Sequence, residues 1–197
     1  VFFMSTPYNE EDLEFLEDLQ VKAYKLASIH AAEPSFAAQV ASTGKPVILS
    51  TGMATLAEID QTLRAIWATS NDQVVLLQCT TNYPSLPEDA NLLAMKSMAD
   101  VFDVIVGYSD HTVEDVACVA SIALGAKVIE KHFTLDKSLP GPDHTSSSEP
   151  EEFAKLVGKI RLTEVCLGSG YKQPSDIEIK NALGMRRSIV AKHDIAE

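Results

Sequence analysis

Six short apolar runs recur along the chain at intervals of roughly 20–30 residues, the spacing of strand-plus-helix units. They are Val1–Ser5, Ala23–Ser28, Pro46–Ser50, Gln73–Cys79, Val104–Tyr108 and Lys127–Phe133. Runs this short and this uniformly apolar predict strands buried on both faces of a parallel sheet. The segments between them read as helices. Leu56, Ile59, Leu63 and Ile66, for example, fall on one face at helical spacing. Helix-start patterns follow the strands at Thr55-Leu-Ala-Glu58, Ser85-Leu-Pro-Glu88 and Thr112-Val-Glu-Asp115, with a looser one at Asn9-Glu-Glu-Asp12.

Polar residues gather at the C-terminal end of each run: Ser5-Thr6-Pro7, Lys25 with Ser28, Ser50-Thr51-Gly52, Thr80-Thr81-Asn82-Tyr83, Ser109-Asp110-His111-Thr112 and Glu130-Lys131-His132. In a (β/α)8 barrel that end carries the chemistry, whereas in an open doubly wound sheet the switch point does. No Gly-x-Gly-x-x-Gly follows the first run and no phosphate-loop pattern occurs, which argues against a nucleotide site. The predicted class is α/β, a partial (β/α)8 TIM barrel over residues 1–168 with two strands missing upstream. Its last helix opens at Ser148-Glu-Pro-Glu151, uses Phe153, Leu156, Val157 and Ile160 as its apolar face, and ends near Gly168. Residues 169–197 read as a polar linker leading into a new element. Both ends stop in mid-pattern, so an internal piece of a longer protein is expected.

Apolar residues make up 46% of the chain and charged residues 22%, a globular balance. No apolar run approaches the ~20 residues of a membrane helix, and no signal-peptide pattern opens the chain. The net charge of −12 repels phosphate backbones, which argues against nucleic-acid partners. A small anionic substrate is compatible with it, since local Lys and His placement decides that. Cys79, Cys118 and Cys166 are odd in number and widely spaced, and read as reduced thiols of a cytoplasmic protein.

His111 and His132 close the last two runs. Neighbouring strands lie about 4.8 Å apart, so imidazoles at adjacent strand ends are within reach of one cation. Ser109 shares parity with His111, and Glu130 with His132, so each pair points into the barrel mouth. Imidazole and oxygen donors with open positions suit Mn²⁺, Zn²⁺ or Fe²⁺; the plain alternative is a pair of hydrogen-bonded structural histidines. Lys25 sits inside a strand, where an unpaired ammonium is costly, so it is expected to face a phosphate or carboxylate, or else a structural ion pair. Lys131 has the opposite parity to His132 and reads as outward and structural. Thr6, Ser28, Ser109 and the Thr80–Asn82 run offer hydroxyls and amides for phosphate oxygens, though each alone also fits a cap or turn. Pro140-Gly141-Pro142-Asp143-His144 is a rigid loop able to present Asp143, and equally an ordinary turn.

Six stretches resemble the sialic acid synthase family, which includes the N-acetylneuraminate and legionaminate synthases and the spore-coat polysaccharide homologues. They are Val1-Phe-Phe-Met-Ser-Thr-Pro7, Gly44-Lys-Pro-Val-Ile-Leu-Ser-Thr-Gly-Met53, Gln78-Cys-Thr-Thr-Asn-Tyr-Pro84, Val106-Gly-Tyr-Ser-Asp-His-Thr112, Val128-Ile-Glu-Lys-His-Phe-Thr134 and Pro140-Gly-Pro-Asp-His144. They run in family order over nearly the whole chain. The resemblance implies a barrel whose third to eighth strands are present, and a missing C-terminal antifreeze-like domain through which members pair as dimers. It implies condensation of phosphoenolpyruvate with an N-acetylated hexosamine aldehyde, giving a nonulosonic acid and phosphate. It implies a Mn²⁺ site at His111 and His132. Thr6, Lys25, Ser28, Thr81 and Ser109 then fall where members bind phosphoenolpyruvate, with Lys25 and Ser109 closest to the chemistry, and Tyr83 and Asp143 fall where they contact the sugar.

Two departures stand out. Members carry an acidic residue just after Ser28, where this chain has Ile29-His30, and Gln78 replaces the usual His before Cys79. Three other readings follow from the residues: a Schiff-base aldolase using Lys25, a non-catalytic phosphoenolpyruvate-binding relative, and a piece that is inactive alone because its barrel edges are unpaired.

Overall fold

The computed structural model describes residues 1–196; Glu197, the end of the predicted linker, lies outside them. The chain divides into two compact units, Val1–Cys166 and Leu167–Glu197. The first is an alternation of helices and strands: α1 (Glu10–Asp18), β1 (Tyr24–Leu26), α2 (Pro34–Ala41), β2 (Val47–Ser50), α3 (Leu56–Trp67), β3 (Val74–Cys79), α4 (Leu93–Phe102), β4 (Ile105–Asp110), α5 (Val116–Ala123), β5 (Val128–Lys131) and α6 (Pro150–Leu167). The five strands are parallel and pair in chain order, forming a curled half-barrel.

Side chains alternate across each strand, so the register sorts them into two faces. One face meets the helices. Tyr24, Leu26, Val47, Leu49, Leu76 and Tyr108 are buried there against Val40, Ile59, Leu63, Ile66, Met95 and Cys118. The other face carries, in rising layers, Lys25 beside Ile48, then Ser50, Leu77, Gly107 and Val128, then Cys79, Ser109 and Glu130. Gly107 is required in the middle layer: a Cβ there would overlap the backbone oxygen of Val128 and meet Leu77 Cδ2 at 2.7 Å.

Of the predicted helix starts, Thr55 and Glu58 form a capping box, and Asn9 caps α1 by accepting from the Asp12 N–H. The other two differ. The Thr112 hydroxyl turns back to Asp110 and to the Glu114 carbonyl, so α5 begins only at Val116. Ser85 precedes no α-helix; only a 3₁₀ turn, Pro87–Asp89, follows it. Pro150, not Ser148, opens α6.

The predicted first strand is also corrected. Val1–Ser5 forms no ladder; its tie to β1 is the Lys25 N–H donating to the Ser5 carbonyl at 3.2 Å. Apolarity predicts burial but not the partner a strand needs, and Val1, Phe2 and Phe3 are exposed here. Within the second unit, the stretch read as linker contains a helix, α7 (Asp176–Met185), started by a Ser175–Glu178 capping box. Among the described residues no helix is long and apolar enough to cross a membrane. The three cysteines are free thiols, with Cys79 and Cys118 buried and Cys166 exposed.

Candidate functional site

Of the predicted site residues, Lys25, Ser28, Thr81, Tyr83, Ser109, His111 and His132 lie in or just beyond the C-terminal halves of β1, β3, β4 and β5, while Thr6 and Asp143 lie on the segments before β1 and after β5. Lys25 is the lowest. Its Nζ donates to Ser50 Oγ at 2.7 Å and to the Leu26 carbonyl at 3.0 Å, and lies 3.6 Å from Glu130 Oε1. The same Glu130 oxygen accepts from Ser109 Oγ at 2.7 Å. A polar chain therefore runs Ser50–Lys25–Glu130–Ser109 across the concave face. Burial pulls the Lys25 ammonium below its ordinary pKa, and the Glu130 charge opposes that shift.

Ser28, Gly52, Cys79 and Thr81 form a tight wall beside this chain. Ser28 Oγ accepts from the Gly52 N–H at 3.1 Å and contacts Cys79 Sγ at 3.1 Å. A Cβ on Gly52 would stand 2.7 Å from the Thr81 methyl carbon Cγ2 and 2.8 Å from Ser28 Oγ, so glycine is what lets these two side chains approach. Thr6 follows Ser5, whose carbonyl is bonded to the Lys25 N–H, which brings its backbone alongside β1.

Above this level sit the two histidines. Their ring centroids are 5.3 Å apart with planes crossed at 75°. His111 is buried, and its Nδ1–H donates to the Thr80 carbonyl. A carbonyl can only accept, so Nε2 keeps its lone pair free for a cation. Burial lowers the His111 pKa, with the Thr80 carbonyl opposing and His132 adding, which favours the neutral, metal-ligating form. Each histidine carbonyl is pinned from a neighbouring loop at 2.8 Å, His111 by the Ser85 N–H of the loop after β3 and His132 by the Ser148 N–H of the loop after β5. Among the described residues no group of three or more His, Cys, Asp or Glu side chains gathers around a metal position. The candidate donors here are the two imidazoles, a ligand type that suits a divalent cation when water or substrate fills its other positions.

Tyr83 covers the pair, its ring 4.1 Å from His111 and 5.4 Å from His132. Burial is the main cause that raises its hydroxyl pKa; Asp143 lies exposed on the loop that follows β5. His144 turns inward to Thr134 Oγ1 at 2.7 Å, tying down the Pro140–His144 loop.

The sequence places Ser50 at a strand end and Glu130 in the barrel mouth but gives neither a role in the site. The signal was present, since Ser50 closes the third run and Glu130 shares parity with His132. Lys131 does point away from the mouth, but it is not outward in the sense of exposed. It is buried with Asp110 under α5, because outside the barrel wall means inside the helix layer. His30 stands where the family acid was expected. It is buried between Tyr8 and Phe36 with Nδ1 unpartnered, and Nε2 is 4.0 Å from Glu33.

Residues 1–172 match the NeuB family. An N,N'-diacetyllegionaminic acid synthase of Legionella pneumophila is 45% identical, over 99% of this chain and 56% of the relative. The N-acetylneuraminate-9-phosphate synthase of Homo sapiens is 38% identical, over 100% of this chain and 55% of the relative. In three dimensions the chain superimposes with a TM-score of 0.86 on the N-acetylneuraminic acid synthetase of Leptospira borgpetersenii, solved with citrate, at 32% identity over 95% of this chain and 67% of that one. The chain spans little more than half the length of the curated relatives it matches.

Proposed function

Because the chain belongs to the NeuB family, we propose that its complete protein condenses phosphoenolpyruvate with the open-chain aldehyde of an N-acetylated hexosamine, such as N-acetylmannosamine, giving a nonulosonic acid and phosphate. Carbon C3 of phosphoenolpyruvate bonds to the aldehyde carbon, water adds at C2, and phosphate leaves. The observation that carries this reading is the Ser50–Lys25–Glu130–Ser109 chain lying directly below the His111–His132 pair.

In this reading Lys25, Ser50, Ser28, Thr81, Thr6 and Ser109 hold the phosphate and carboxylate of phosphoenolpyruvate, a positioning role. Glu130 keeps the Lys25 ammonium charged despite its burial and exchanges a proton with water at C2. Tyr83 and Asp143 face the sugar and shield the reacting carbons from bulk water. His111 and His132 would hold the divalent metal, Mn²⁺ in the first instance, which when bound supplies Lewis-acid polarisation of the aldehyde. On this proposal the five strands are the fourth to eighth of a closed eight-stranded barrel, in which Val1–Ser5, unpaired as a ladder here, gains a partner and becomes the third. The complete protein is then a cytoplasmic homodimer, and this piece alone is inactive.

The test is product analysis with the full-length protein. Phosphoenolpyruvate, Mn²⁺ and N-acetylmannosamine or a diacetylated hexosamine should yield a nonulosonic acid by mass spectrometry, and no product with any such sugar contradicts the reading. One observation favours a second reading: the desolvated Lys25 amine is suited to a Schiff base. Borohydride trapping of a pyruvate adduct on Lys25 would establish that aldolase chemistry instead.

A further inference from the structure

Asp110 and Lys131 are the residues immediately before the two histidines, and they are register partners on adjacent strands. Both side chains are almost wholly buried, 0% and 2% exposed, with Nζ to Oδ2 at 2.7 Å. The remaining bonds of the pair lead to Thr112, just past His111, and to one thiol on α5. Asp110 Oδ1 accepts from the Thr112 N–H and hydroxyl, both at 2.9 Å, and Oδ2 lies 3.1 Å from Cys118 Sγ on α5. Lys131 Nζ also donates to the Thr112 carbonyl at 2.8 Å. The backbone on both sides of His111 is thus tied to the residue preceding His132.

We propose that Asp110 and Lys131 form a positioning clamp on the outer face of the sheet, fixing the separation of the His111 and His132 rings and so their affinity for a divalent cation. The proposal rests on reading those rings as the metal site. A buried ion pair adds little stability over an apolar pair of similar volume, so its use here is geometric. Successive strand residues face opposite ways, so a contact fixed between Asp110 and Lys131 fixes the pivots from which both imidazoles project inward. Apolar side chains would fill the same space without setting that distance.

The test compares the full-length protein with its Asp110→Asn/Lys131→Met double variant, which removes both charges and leaves neither stranded. Binding of Mn²⁺ alone is followed by electron paramagnetic resonance, phosphoenolpyruvate affinity by calorimetry, and Tm by differential scanning. The clamp predicts a loss of about tenfold or more in Mn²⁺ affinity, the scale of groups that orient ligands, with phosphoenolpyruvate affinity and Tm near wild type. Unchanged Mn²⁺ affinity overturns it, as does a parallel fall in all three quantities, which marks a merely structural pair. If the double variant does not fold, Lys131→Arg carries the test, because it keeps the charge and shifts the contact point. Weakened Mn²⁺ binding with intact phosphoenolpyruvate binding then supports the clamp, and wild-type Mn²⁺ binding overturns it. Wild-type protein that binds no Mn²⁺ overturns the metal-site reading itself, and the clamp with it.

Discussion

Lys25 and Glu130 approach to 3.6 Å although they sit on the two outermost strands of a five-stranded sheet. In a flat sheet, four strand-to-strand steps would separate them by about 19 Å. The contact therefore measures the curl of the sheet. It also explains how a buried ammonium is tolerated: the far edge of the sheet returns to supply its counter-charge.

Lys25→Ala in the full-length enzyme is expected to lower kcat/KM for phosphoenolpyruvate by about 100-fold or more, the scale of losing one preorganised charge-stabilising donor. The pH dependence has a definite sign. The ammonium is the form that binds phosphate, and burial lowers the pKa at which it is lost. Phosphoenolpyruvate affinity should therefore decline on the alkaline side before the ordinary lysine range is reached. Lys25→Arg should abolish that decline. Titration calorimetry across pH checks both.

Two glycines should separate stability from binding. Gly107→Ala drives a methyl group into the Val128 backbone oxygen, which cannot rotate away, and is expected to cost toward about 3 kcal/mol in denaturant unfolding. Gly52→Ala meets the side chains of Thr81 and Ser28, which can turn, so its stability cost should be nearer about 1 kcal/mol. Its larger effect should be on phosphoenolpyruvate affinity, since the side chains that move, Ser28 and Thr81, are the ones proposed to hold that substrate.

His30→Phe keeps the aromatic contacts with Tyr8 and Phe36 and removes a buried nitrogen with no partner. Such an orphan costs about 1–3 kcal/mol, so the variant should unfold at a higher temperature than wild type. A lower Tm would mean that Nδ1 is satisfied in the folded protein.

Lys131→Met alone strands the Asp110 carboxylate among Thr112 and Cys118. Breaking a buried pair from one side costs about 3–5 kcal/mol. Denaturant unfolding should show a loss of that size, largely recovered when Asp110→Asn is added.

Most of the site was legible because strand parity is a strict rule. Ser109 with His111 and Glu130 with His132 could be paired from their spacing alone, and Lys25 announced itself as a charge inside an apolar run. Parity gives Ser50 and Glu130 a direction but not a distance, and only the curl brings Glu130 to Lys25. Val1–Ser5 has the composition of a strand, but apolarity says nothing about which neighbour will supply hydrogen bonds. The linker reading of Asp176–Met185 missed a capping box, Ser175 with Glu178, that the sequence displayed.

Phosphate release from phosphoenolpyruvate by the full-length enzyme and its His111→Ala variant, with and without Mn²⁺ and an N-acetylated hexosamine, tests the central claim most directly. Wild-type enzyme should release phosphate only when both metal and sugar are present, and His111→Ala should release none. Undiminished metal- and sugar-dependent release by His111→Ala would contradict the account.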